Sequence, residues 1–81
     1  MPVYMIERGF ADQLEIDAAR LKEIDDAEVA LDVRWITTFL SADKKKSYCL
    51  YEAEDVEVLR LHAERLGFPL DAITEVDELK R

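Results

Sequence analysis

Val33-Arg34-Trp35-Ile36-Thr37-Thr38-Phe39-Leu40, the turn Ser41-Ala42-Asp43-Lys44 and then Ser47-Tyr48-Cys49-Leu50-Tyr51-Glu52 carry the clearest architectural signal in the chain. Both flanks are dense in β-branched and aromatic residues and the junction is polar, so the two segments predict an antiparallel hairpin. Upstream, Val3 to Arg8 is a short apolar run that suits a buried strand, ended by Gly9. Asp12 followed by Glu15 resembles a capping box, and Leu14, Ala18, Leu21, Ile24, Ala27 and Leu31 then recur at steps of three and four. Downstream, Asp55 caps a second predicted helix with Leu59, Ala63 and Leu66 as its core residues. Gly67 is placed to end it in the left-handed conformation, and Pro69 blocks continuation. Ala72 to Val76 supplies a last short strand. The order β-α-β-β-α-β with right-handed crossovers predicts an α+β fold: a ferredoxin-like plait, a four-stranded antiparallel sheet with both helices on one face.

The strands carry a second message. A sheet covered on one side alternates apolar with polar residues, yet here both phases are apolar. Val3 and Met5 oppose Tyr4 and Ile6; Val33, Trp35 and Phe39 oppose Ile36 and Leu40; Tyr48 and Leu50 oppose Cys49 and Tyr51. Two helices cover one face, and a bare apolar patch of that size is an association surface. A second copy of the chain is the economical cover, which predicts a homodimer of the dimeric α+β barrel type.

Eighty-one residues make room for one domain, spanning residues 1–81. A chain of this size buries only about 60–65% of its unfolded surface, so a partner would add stability that the monomer lacks. The net charge of −8 argues against nucleic acid and anionic membranes as partners, since both are bound chiefly through Lys and Arg. The one basic run, Lys44-Lys45-Lys46, reads as a solvated hairpin tip. No stretch approaches the roughly twenty apolar residues of a membrane helix, and the start resembles neither a signal nor a transit peptide. With a single cysteine, Cys49, an intrachain disulfide is impossible, and the expected location is the cytoplasm.

Candidate chemistry is sparse. Cys49 is a metal ligand or nucleophile only if a neighbour favours its thiolate, and a mid-strand cysteine is more often a small buried hydrophobe. His62, the only histidine, is a metal or proton candidate, although such residues more often close the margin of a core. One Cys and one His cannot complete a four-ligand zinc site within one subunit. Glu7 and Glu52 are expected near one end of the sheet, on strands taken as parallel neighbours, where they could hold a cation or form an acid/base pair. Trp35 and Tyr51, with Tyr4 and Tyr48, could line an apolar pocket. Gly9 and Gly67 each mark a boundary, so there is no glycine-rich phosphate loop, and no Ser-His-Asp spacing occurs.

Several segments in order, Tyr4-Met5-Ile6-Glu7-Arg8, Val33-Arg34-Trp35, Tyr48-Cys49-Leu50-Tyr51-Glu52-Ala53, His62 to Pro69 and Ile73-Thr74-Glu75-Val76, together resemble a small bacterial family of unknown function labelled nickel-binding-protein-like. The resemblance covers almost the whole chain. It implies the same plait and dimer, and a binding protein for nickel or another divalent metal, with Glu7, Cys49 and His62 as the residues able to ligate. It also implies that Glu7 and Phe68 occupy positions held by histidine in some relatives. A site so depleted in imidazole leans toward harder, oxygen-preferring ions. The competing expectation is a small barrel enzyme of monooxygenase or isomerase type, with Trp35 and Tyr51 lining its pocket and Glu7 as base.

Overall fold

The computed structural model describes residues 1–12 and 14–80. Its elements are β1 (Val3–Gly9), α1 (Ala18–Leu31), β2 (Arg34–Leu40), β3 (Lys46–Glu52), α2 (Val56–Leu66) and β4 (Ala72–Val76). They form one antiparallel sheet in the order β2-β3-β1-β4, the ferredoxin-like plait of an α+β protein.

The central pair fixes the layout. β1 and β3 match over seven residues, with Tyr4 opposite Tyr51, Ile6 opposite Cys49 and Arg8 opposite Ser47. These six are buried, because period-two alternation sends all of them to one face. Leu59 of α2 packs on Tyr4, Ile6, Cys49 and Tyr51, while Ile24 and Ala27 of α1 pack with Leu66 and Trp35. Trp35 is paired with Tyr51, so both helices cover the same face. The register between β2 and β3 shifts between Trp35 and Thr37, leaving Ile36 as an extra residue on this edge strand.

β1 and β3 run antiparallel, which corrects the expectation that placed Glu7 and Glu52 at one end of the sheet. Glu7 sits opposite Tyr48 and Glu52 opposite Val3, at opposite ends of the same pairing.

Local caps set the helix boundaries. Asp55 accepts from Val58 N at 2.9 Å, and Gly67, at φ 69°, sends Phe68 N back to Ala63 O. α1 departs from the sequence reading at its start. The cap is Asp17, whose Oδ1 accepts from Arg20 N at 2.8 Å, and Asp12 and Leu14 precede the helix. Leu21 is exposed, and only Ile24 and Ala27 of the expected stripe are buried. The helix ends on Asp32 at φ 54°, a conformation that aspartate tolerates better than most side chains. Leu14 N instead donates to Lys44 O, and Phe10 N to Lys45 O. The lysine turn thus anchors the segment that leads into α1.

The two aspartates offer a direct check on where α1 begins. Asp17→Ala should cost about 1 kcal/mol in urea denaturation, the usual loss for a helix cap. Asp12→Ala should stay within about 0.5 kcal/mol of the parent.

Candidate functional site

The helix-covered face of the sheet contains more polar chemistry than a core requires. Arg8, Ser47 and His62 are buried with Cys49 and Tyr51. Cys49 and Ser47 belong to a run of contacts along β2 and β3. Trp35 Nε1 donates to Thr38 Oγ1 at 2.7 Å, and that hydroxyl donates to Cys49 Sγ at 3.2 Å. The sulfur makes a long contact of 3.8 Å to Ser47 Oγ. These groups, with Arg8 and Tyr51, border a cavity of about 40 Å³ beneath α1. The rest of its lining is apolar: Phe10, Leu14 and Ile16 from the segment before α1, with Ile24 and Phe68.

Two buried nitrogen groups dominate the electrostatics. Arg8 Nη1 donates to Pro69 O at 2.8 Å, tying β1 to the loop after α2. Its guanidinium lies 5.3 Å from the centre of the Phe68 ring, whose other cationic neighbour is Arg20 at 4.5 Å. Arg8 Nη2 has no hydrogen-bond partner among the described residues. His62 of α2 is fully buried, edge-on to Tyr51 at 5.4 Å, and neither ring nitrogen has a hydrogen-bond partner among the described residues. Burial first, and the Arg8 and Arg65 charges after it, push its pKa down to about 4. Burial also drives the Tyr51 phenol up to about 12, Cys49 adding to the effect and Arg8 opposing it.

The uncovered face is different. By register it carries Val3, Met5, Glu7 and Gly9 of β1 beside Glu52, Leu50, Tyr48 and Lys46 of β3, with Thr37 and Phe39 from β2. Phe39 is 59% exposed. Charged pairs stand at the two ends: Lys46 to Glu7 at 3.3 Å and Arg34 to Glu52 at 3.7 Å. Both pairs are solvent-accessible and contribute little to stability.

The predicted site residues therefore divide between two sides of the sheet. Trp35, Tyr51 and Cys49 meet at the cavity, His62 lies behind Tyr51, and Glu7 is on the opposite face. Within one subunit the sheet therefore separates Glu7 from the pocket lined by Trp35 and Tyr51. Arg8 is the residue that sequence reasoning passed over. It shares the phase of Tyr4 and Ile6, and that phase was the available signal.

Comparison with known proteins places this architecture. The family described as "Nickel responsive protein SCO4226-like" matches residues 4–76. The chain belongs to the SCO4226-like family. A crystal structure of SCO4226 from Streptomyces coelicolor A3(2) superposes with a TM-score of 0.70 at 21% identity, over 96% of this chain and 99% of that one. No curated protein matches. Among the described residues, no group of three or more His, Cys, Asp or Glu side chains converges as a metal site. Glu7, Cys49 and His62 do not form one ligand set within a subunit. No helix among the described residues is long and apolar enough to cross a membrane.

The buried imidazole makes a pH prediction. His62 binds a proton more readily in the unfolded chain, near its ordinary 6.5, than in the fold, near 4. Its contribution is unimpaired above pH 6.5 and is lost progressively as pH falls toward 4. Urea denaturation between pH 7 and pH 5 should show a loss of stability that shrinks in His62→Leu. An equal loss in both proteins would assign the acid sensitivity elsewhere.

Proposed function

We propose that this SCO4226-like chain is a small, non-enzymatic binding protein that works as a homodimer through its uncovered sheet face and takes a divalent cation at the carboxylates of that face. The observation that carries this reading is the division of the candidate ligands. Of the three, Glu7 alone reaches an accessible surface, whereas Cys49 and His62 are buried behind the sheet.

The surface itself supports the dimer. Val3, Met5, Tyr48, Leu50 and Phe39 form an apolar centre bordered by charged pairs, the anatomy of an interface with a polar rim. Two-fold pairing would bring each carboxylate a counterpart from the second copy, so a ligand set incomplete in one subunit can be completed between two. Oxygen donors of this kind suit harder ions better than an imidazole site would. The family description supports a response to nickel, and Glu7 would have to exchange its contact with Lys46 for the metal.

Sedimentation velocity at micromolar concentration should give a dimer, and Leu50→Lys, which sets a charge in the middle of the face, should give a folded monomer. Calorimetric titration with nickel and with manganese should register stoichiometric binding that Glu7→Gln removes. Cys49→Ser and His62→Gln should leave it in place. A monomeric parent, or binding lost with His62 and retained without Glu7, would reverse this assignment.

A further inference from the structure

Arg8 is a buried cation without a counter-ion. It is 3% exposed, and no carboxylate forms a salt bridge with it among the described residues. One of its terminal nitrogens donates to the Pro69 carbonyl, and the other has no hydrogen-bond partner among the described residues. The Phe68 ring face offers attraction but no acceptor. An uncompensated charge away from water costs several kcal/mol, a large share of the stability available to a domain of this length. The Pro69 tether alone does not account for it, because a neutral donor could make the same bond.

The surroundings of Arg8 specify what would complete it. It borders the cavity under α1. Ser47 Oγ, 1% exposed, is the acceptor in its contact with Cys49, which leaves its own proton to donate. The Tyr51 hydroxyl keeps its proton, with a pKa of about 12, and Tyr51 also belongs to the lining. The lining also includes Phe10, Ile24 and Phe68, which offer no polar side-chain group. One fixed positive charge, two hydroxyls and an apolar wall favour a singly charged anion with a short hydrocarbon body. A phosphate dianion would need more donors than are present and would enter a protein of net charge −8.

We propose that the cavity between the sheet and α1 is a binding site for a small monocarboxylate, its carboxylate held by Arg8 and its hydrocarbon part packed against Phe10, Ile24 and Phe68. The volume of about 40 Å³ restricts the occupant to a short-chain acid, accommodated where the half-buried segment of Phe10, Leu14 and Ile16 yields. Guanidinium to carboxylate is a charge-assisted contact, about twice as strong as its neutral counterpart. The site is independent of the cation proposal, since it lies on the other side of the sheet.

The test uses butyrate as the probe and butyramide as its uncharged isostere, followed by amide and indole NMR of the full chain. The single tryptophan gives one indole N–H signal, from the group that contacts Thr38 at the cavity wall. Butyrate should move that signal and the amides of Ser47 and Phe68 along a saturable curve, with affinity at least about tenfold above butyramide. Sodium chloride at matched concentration should not. Arg8→Gln should abolish the difference between the two probes, and Arg8→Lys should retain part of it. Equal binding of both probes, no saturable shift, or shifts confined to Lys44, Lys45 and Lys46 would overturn the proposal. Because the probe comparison is made on the parent protein, it decides even if the Arg8 variants unfold.

Discussion

A one-residue slip between β1 and β3 would exchange the contents of the two sides of this molecule. In the observed register Tyr4, Ile6 and Arg8 meet Tyr51, Cys49 and Ser47 under the helices, while Val3, Met5 and Glu7 meet Glu52, Leu50 and Tyr48 on the outer face. Both sets contain enough apolar surface to be buried, so hydrophobicity alone distinguishes them weakly. Specificity comes from the partners. Leu59 fills the space between Tyr4, Ile6 and Tyr51, and Asp71 clasps the end of β1 by accepting from Gly9 N and donating its own N–H to Glu7 O. A Cβ at Gly9 would approach Asp71 Oδ2 to 3.0 Å, so a larger residue there would require the carboxylate to shift.

The same register accounts for the concentration of polar groups in the interior. A strand cannot bury residues 4 and 6 without also turning residue 8 inward, and residue 8 is an arginine. A helix that buries Leu59, Ala63 and Leu66 equally turns His62 toward the sheet. Burial keeps the imidazole neutral, which limits its cost, whereas a guanidinium remains charged under any ordinary condition. The two groups therefore differ in kind. His62 is an aromatic filler beside Tyr51 with no hydrogen-bond partner for its nitrogens among the described residues, and Arg8 is a fixed charge whose field reaches His62 and Tyr51.

Much of the architecture was legible because it rests on local chemistry. The hairpin strands, the Asp55 and Gly67 caps and the final strand lie where propensity and capping put them. The beginning of α1 was not, since Asp12 and Asp17 are equally competent caps. Contacts far along the chain, from the lysine-turn carbonyls to Phe10 and Leu14, keep the first of them outside the helix. The direction of β1 relative to β3 follows from topology, not from composition, and with it went the supposed pairing of Glu7 with Glu52. Apolar residues in both phases were visible in the sequence and are seen again on the uncovered face. Which polar side chains go inside was harder to read, because a charged residue at a strand end is ordinarily an exposed one.

The extra residue in β2 shapes how such a molecule can meet its own kind. An unbroken outer strand offers a row of free N–H and C=O groups on which further chains can stack without limit. At Ile36 that row is interrupted, and on the far side β4 offers only five residues. Growth along the hydrogen-bonding direction is thereby discouraged at both ends, and contact between broad surfaces is favoured over strand-by-strand extension. A small acidic protein with greasy strands is in this way protected against edge-to-edge extension into fibres.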